Sequence, residues 1–126
     1  MSEFVTCLNC MDGRVQKVMI DWLESNYNAV YVDMITEAGM DGFIVKKDEL
    51  PESLRAKIDI SLQKHGSTQI FIVGHHDCGG HPVDEKTHRE HIKAAVEKVS
   101  QNYPGYSVTG VWISEKWQAE KTMEVS

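Results

Sequence analysis

The chain holds only three cysteines among its 126 residues, an odd number and too few for the disulfide framework of a small secreted domain. No apolar run approaches the length that crosses a bilayer, so a membrane span is not expected. No N-terminal stretch joins basic residues to an apolar segment long enough for export, and a reducing cytoplasm is the expected location. Basic residues are the minority, 13 against 19 acidic, for a formal net charge of -6. No basic stripe stands out that could follow a phosphate backbone, which argues against nucleic acid as a partner. Internal repeats and linkers are absent as well. What remains is a length suited to one domain over 1–126, able to bury roughly two-thirds of its unfolded surface without cross-links.

Hydrophobic periodicity organises that domain. Phe4 to Leu8 is a short β-prone run, and Val15, Val18, Met19, Trp22 and Leu23 then recur at the spacing of an amphipathic helix. Asn26 to Asn28 ends the helix, Ala29 to Ile35 reads as a second strand, and Ala38-Gly39 with Asp41-Gly42 marks a loop. Lys46-Lys47 followed by Asp48-Glu49 reads as a solvated helix entrance without function. Leu50, Leu54, Ile58 and Leu62 form the next helical stripe, with Pro51 suited to its first turn and Gly66 to its end. Gln69 to Val73 is a third strand. His88, Ile92, Ala95, Val96 and Val99 make a third helix, which Pro82 could open, and Tyr106 to Ile113 a fourth strand. Trp117 to Val125 reads as a closing edge strand or an irregular tail. Strands alternating with helices imply a three-layer α/β domain on a mainly parallel sheet, ordered 2-1-3-4.

Two short segments at strand ends carry the chemistry, Cys10-Met11-Asp12-Gly13-Arg14 and Gly74-His75-His76-Asp77-Cys78-Gly79-Gly80. Ligands of parallel sheets bind beyond the carboxyl ends of the strands where strand order reverses, which in a 2-1-3-4 sheet lies between strands one and three. Cys10, His75 and Cys78 would then converge as three zinc ligands with a fourth position open, the arrangement of a catalytic zinc. Gly74, Gly79 and Gly80 would allow the tight backbone that turns His75 and Cys78 toward one point. In an extended segment Cys10, Asp12 and Arg14 share a face, so Arg14 could hold Asp12 in a forked hydrogen bond. The alternative is a carboxylate capping the helix that starts near Val15, with Arg14 solvated.

Cys10-x-Asp12-x-Arg14 followed by Gly74-His75-x-x-Cys78-Gly79-Gly80 resembles the zinc site of the β-class carbonic anhydrases. Ala38-Gly39 after strand two, the helix leading to Gly66, and Val108 to Ile113 also follow that family's layout. The resemblance implies zinc on Cys10, His75 and Cys78, an Asp12-Arg14 dyad, and reversible hydration of carbon dioxide to bicarbonate by a zinc-bound hydroxide. Two thiolates would cancel the metal's charge, so activity should rise toward alkaline pH. Asp12 would orient the hydroxide, and released from Arg14 it could take the fourth zinc position itself. His76, His81 and His88 are candidate proton shuttles. The family also implies a homo-oligomer whose pockets borrow side chains from the neighbouring subunit. Only nine residues precede Cys10, which leaves out the N-terminal helical arm that grips a partner. Thr36-Glu37 and His81-Pro82 also depart from the family's usual residues.

Three other readings compete. The same ligands could serve a hydrolase of carbonyl sulfide or carbon disulfide. Cys7 could close a four-ligand, non-catalytic zinc site, although a strand would hold it roughly 10 Å from Cys10. A thiol redox pair of Cys7 and Cys10 would leave His75 and Cys78 without a task, so Cys7 is expected to be structural.

Overall fold

The computed structural model describes residues 3–126. Strand β1 (Phe4–Asn9) leads through a 3-10 turn (Gly13–Val15) into α1 (Gln16–Tyr27), and β2 (Tyr31–Thr36) follows. Next come α2 (Met40–Val45), α3 (Glu52–Gln63), β3 (Gln69–His75), α4 (Glu85–Asn102), β4 (Ser107–Ile113) and β5 (Ala119–Val125). The strands form one sheet ordered β2-β1-β3-β4-β5, the first four parallel and β5 antiparallel to β4. The α/β class and the 2-1-3-4 order are as the periodicity predicts, and the C-terminal segment is an edge strand rather than a tail.

Period-two alternation along β3 shows how the sheet makes three layers. Ile70 and Ile72 pack with α2, α3 and α4 through Met40, Leu54, Ile58, Ile92 and Val96. Phe71 and Val73 point to the other face, against Met19 and Leu23 of α1. Each face is a continuous apolar layer, so the sheet is buried on both sides. Among the described residues no helix is long and apolar enough to cross a membrane.

Four details differ from the sequence expectation. Asp41-Gly42 lies inside α2, not in a loop; a six-residue helix is too short to show a period, and Gly39 (φ 62°) starts it in the left-handed region. Lys46-Lys47 consequently follow the end of a helix instead of entering one. Pro82 does not open α4, because Asp84 caps it by accepting a hydrogen bond from the Thr87 N–H, at 2.9 Å. Pro51 occupies the cap position of α3, one residue ahead of its first turn.

Gly110 sets the approach of α4 to the sheet. A Cβ there would come within 2.6 Å of Ile92 Cγ2 and 2.7 Å of Thr122 Oγ1, on the α4 side and the β5 strand. Gly110→Ala should therefore destabilise the fold by about 1–3 kcal/mol in chemical denaturation, the usual cost of overpacking. Tyr103 ties α4 to α3, its Oη donating to Asp59 Oδ1 at 2.9 Å. Burial, then the Asp59 carboxylate, push its phenol up to about 12. A raised pKa means stability present below the unfolded phenol's value near 10 and lost as pH rises through 12. Denaturation between those pH values should show a loss of stability that Tyr103→Phe makes shallower.

Candidate metal centre

Parallel pairing of β1 with β3, in the register Thr6↔Ile70, Cys7↔Phe71 and Leu8↔Ile72, sets the two chemical segments side by side. Cys10 is the first residue beyond β1. Its turn is pinned by Asn9, fully buried, whose Oδ1 accepts the Cys10 N–H at 2.8 Å and whose Nδ2 donates to the Val15 carbonyl at 3.2 Å. Gln16 adds two bonds from Nε2, to the carbonyls of Cys10 (2.7 Å) and Asp12 (2.8 Å). On the other side β3 runs through His75, paired with Ile113 of β4, and the His76 N–H donates to the Ile113 carbonyl.

The bend that brings Cys78 back beside His75 is made at Asp77, a non-glycine residue at φ 56°. The expectation had assigned this task to Gly74, Gly79 and Gly80, none of which has positive φ. Asp is among the few L residues that tolerate this region. Gly80 serves differently, by clearing space: a Cβ there would lie 2.7 Å from the Ala38 backbone. That closeness lets the chain after β2 reach the site, where the Gly39 N–H donates to Cys10 Sγ at 3.4 Å.

Cys10 Sγ, Cys78 Sγ and a nitrogen of His75 lie within 4.8 Å of one another, all three residues buried. The two sulfurs are 3.9 Å apart, against roughly 3.8 Å for two sulfurs on a tetrahedral zinc with bonds of about 2.3 Å. His75 Nδ1–H donates to the His76 carbonyl at 2.7 Å. A carbonyl can only accept, so this bond places the proton on Nδ1 and leaves the lone pair on Nε2, which is buried without a partner. Cys10 is pulled below the ordinary thiol range, first by the hydrogen bond from Cys78. The N–H groups of Gly39 and Asp12 add to this, against the cost of burial. Cys78 is pushed up in consequence. A thiolate already favoured, a second thiol beside it and an orphaned imidazole nitrogen are a donor set that fits zinc. Cys7 is not in this group; it is fully buried against the α1 side, and burial alone pushes its thiol up.

Asp12 and Arg14 stand together, though not in an extended row. Asp12 caps the 3-10 turn, its Oδ1 accepting the Arg14 backbone N–H at 2.8 Å, and the same carboxylate takes the guanidinium in a fork. Arg14 Nε lies 3.1 Å from Oδ1 and Nη2 2.7 Å from Oδ2. The cap and the fork therefore occur together, and Arg14 is not left solvated as the capping alternative had it. The Arg14 hydrogen bond holds the Asp12 carboxyl down at about 2. Arg14 also donates to Asp77, at Oδ2 (3.1 Å) and the carbonyl (3.0 Å), and its guanidinium carbon lies 4.6 Å over the Trp117 ring.

Asn9, Gln16, Asp77 and Trp117 were missed by sequence reasoning; only Asp77 stood inside a recognised motif. Of the candidate shuttles, His76 is exposed and His81 half-buried, while His88 is buried on Asp41 rather than at this cluster.

A family described as "Putative carbonic anhydrase" matches residues 1–123. No curated protein matches the sequence. Among solved structures, the fold is similar to the β-carbonic anhydrase isoform I of Trichomonas vaginalis, with TM-score 0.67 and 16% identity over 95% of this chain and 81% of that one. A tetrameric β-carbonic anhydrase from Sordaria macrospora gives TM-score 0.68 and 13% identity, over 99% and 83% of the two chains. A carbon disulfide hydrolase gives TM-score 0.59 and 16% identity, over 95% and 78%.

Cys78→Ser should lose bound zinc and Cys7→Ala should keep it, as read by metal analysis of the purified proteins. Loss of zinc from the Cys7 variant would return that residue to the ligand set.

Proposed function

Because the chain belongs to this carbonic anhydrase family and carries the β-carbonic anhydrase fold, we propose that it hydrates carbon dioxide reversibly to bicarbonate at a zinc held by Cys10, His75 and Cys78. The observation that carries the reading is the meeting of this donor set with a carboxylate that its own turn and Arg14 lock in place. Zinc would supply Lewis acidity, making a coordinated water nucleophilic near neutral pH.

The chain's own residues do the rest. With Arg14 donating to both oxygens, Asp12 stays ionised and is an acceptor only. It would accept a hydrogen bond from the O–H of the attacking oxygen and so aim a lone pair at the carbon of the substrate. Arg14 is in turn fixed by Asp77 and by the Trp117 face. Turning Asp12 away toward the metal would break its cap as well as its fork, the cap alone being worth about 1 kcal/mol. This dual attachment favours the state in which the fourth metal position stays open to water. Addition of water to carbon dioxide yields bicarbonate and one proton, and His76, exposed and next in the chain to His75, would pass that proton to solvent.

The likeness to a carbon disulfide hydrolase supports a second reading, hydrolysis of another linear molecule with an electrophilic central carbon. A homo-oligomer belongs to the proposal too, supported by the likeness to a tetrameric β-carbonic anhydrase.

Stopped-flow hydration of carbon dioxide by the zinc-loaded full chain should proceed well above the buffer rate. Asp12→Asn should retain zinc and lose roughly 100-fold or more in turnover. Turnover of carbon disulfide without carbon dioxide hydration would select the second reading, and inactivity toward both would end the enzymatic one.

A further inference from the structure

One side chain at the site breaks the rule of the turn that carries it. The β4–β5 hairpin reverses over 114–118, where the Trp117 N–H donates to the Ser114 carbonyl at 2.8 Å and the Ser114 N–H to the Gln118 carbonyl at 3.1 Å. Trp117 itself lies at φ 57°. This bonding, closed by a left-handed residue, matches the three-residue hairpin loop whose left-handed position normally goes to glycine. Left-handed backbone crowds any Cβ, and a bulky aromatic residue there is a genuine outlier. The other non-glycine residues at positive φ among those described are Asn28 and Asp77, types whose short polar side chains tolerate it.

What Trp117 provides lies outside its turn. The ring is half-buried against the α1-side apolar layer, and the Arg14 guanidinium carbon sits 4.6 Å over its face. Its centroid is 6.4 Å from the His75 ring and 6.3 Å from the His76 ring. A single side chain from a third element thus meets both segments of the metal centre. Arg14 has need of such a contact, because its side chain is 46% exposed. Ion pairs that open to water hold a long side chain weakly. An indole face attracts the cation and closes one side of the planar guanidinium to solvent, which restricts it to the orientation that forks onto Asp12.

We propose that Trp117 is a positioning residue of the Asp12–Arg14 dyad, kept at a strained turn position because its ring face holds the Arg14 guanidinium on the Asp12 carboxylate. Its effect on turnover rests on the hydration reading, while the hold on Arg14 stands on geometry alone. Departures from local rules persist where the surrounding structure fixes them, and they gather at functional sites. Glycine or asparagine would suit the turn better and would open one face of Arg14 to water. Asp12 would keep its cap but lose the fork that sets the direction of its free lone pairs. Ordinary core packing, by contrast, would ask only for apolar bulk at position 117, and leucine would serve as well as an aromatic ring.

The test reads Arg14 directly, by NMR of the metal-free full chain. The Arg14 Nε–H, 3.1 and 3.2 Å from the two Asp12 oxygens, should give a slowly exchanging signal that Arg14→Lys removes. Trp117→Phe keeps an aromatic face and should keep that protection. Trp117→Leu keeps apolar bulk without the face, and Trp117→Asn suits the turn; both should speed the exchange by roughly 3–30-fold. In the zinc-loaded chain the same two variants should lose roughly 10–100-fold in kcat at unchanged KM. In an Arg14→Ala background neither should cause a further loss. Protection retained in both variants, whatever their stability, would overturn the proposal, as would a full effect of Trp117→Leu on turnover in the Arg14→Ala background. If the natural chain turned over neither carbon dioxide nor carbon disulfide while Arg14 exchange still followed Trp117, the hydration reading would fall and the hold on Arg14 would stand.

Discussion

Parallel pairing of β1 with β3 is the constraint on which the rest of the structure depends. Neither strand end carries a complete ligand set: β1 delivers one thiol, and β3 with its turn delivers an imidazole and a second thiol. Parallel strands finish at the same edge of the sheet, and the helices α1 and α4 that return the chain lie on opposite faces, which leaves a crevice between the two ends. The register then brings the sulfurs to 3.9 Å. A slip of one residue would turn Cys7 and Phe71 out of the α1 layer and break the convergence together with the core.

Around that pairing, polar side chains hold the backbone where no regular element can. Asn9 and Gln16 satisfy the turn after β1, and Asp77 bends the chain after β3. Asp12 joins the structural and chemical levels, since the carboxylate that caps the 3-10 turn is also the one that holds the Arg14 guanidinium. Arg14 bridges the two segments through Asp12 and Asp77, over the ring of Trp117. Exposed ion pairs of this kind add little to stability singly. Here the forked geometry and the aromatic face restrict the guanidinium to one orientation, which is what a positioning role needs.

Much of this was legible in the chain. Alternating apolar runs and helical stripes predicted the four parallel strands and their order, because buried faces impose their periods wherever an element is long enough. Cys10, Asp12, Arg14, His75 and Cys78 stood out by residue type and spacing. The short helix α2 was not legible, since six residues carry no readable period. Asn9 and Gln16 were hidden for another reason: amides are common at strand ends and helix starts, and only contact shows which ones hold a turn. Trp117 lies some hundred residues from Arg14, and no local pattern links them.

The amino-acid sequence by itself determined the alternation of elements, the two-sided burial of the sheet and the residue types available at its carboxyl edge, because these follow from hydrophobic period and side-chain chemistry. Tertiary structure alone decided which of those side chains meet. It set His75 Nε2 against two sulfurs by occupying Nδ1 with a backbone carbonyl, and it placed Cys7 in the core three residues from a candidate ligand. It also set the Trp117 ring, from the β4–β5 hairpin, against Arg14. Such choices rest on distances of a few ångströms between atoms far apart in the chain, and those distances exist only once both faces of the sheet are packed.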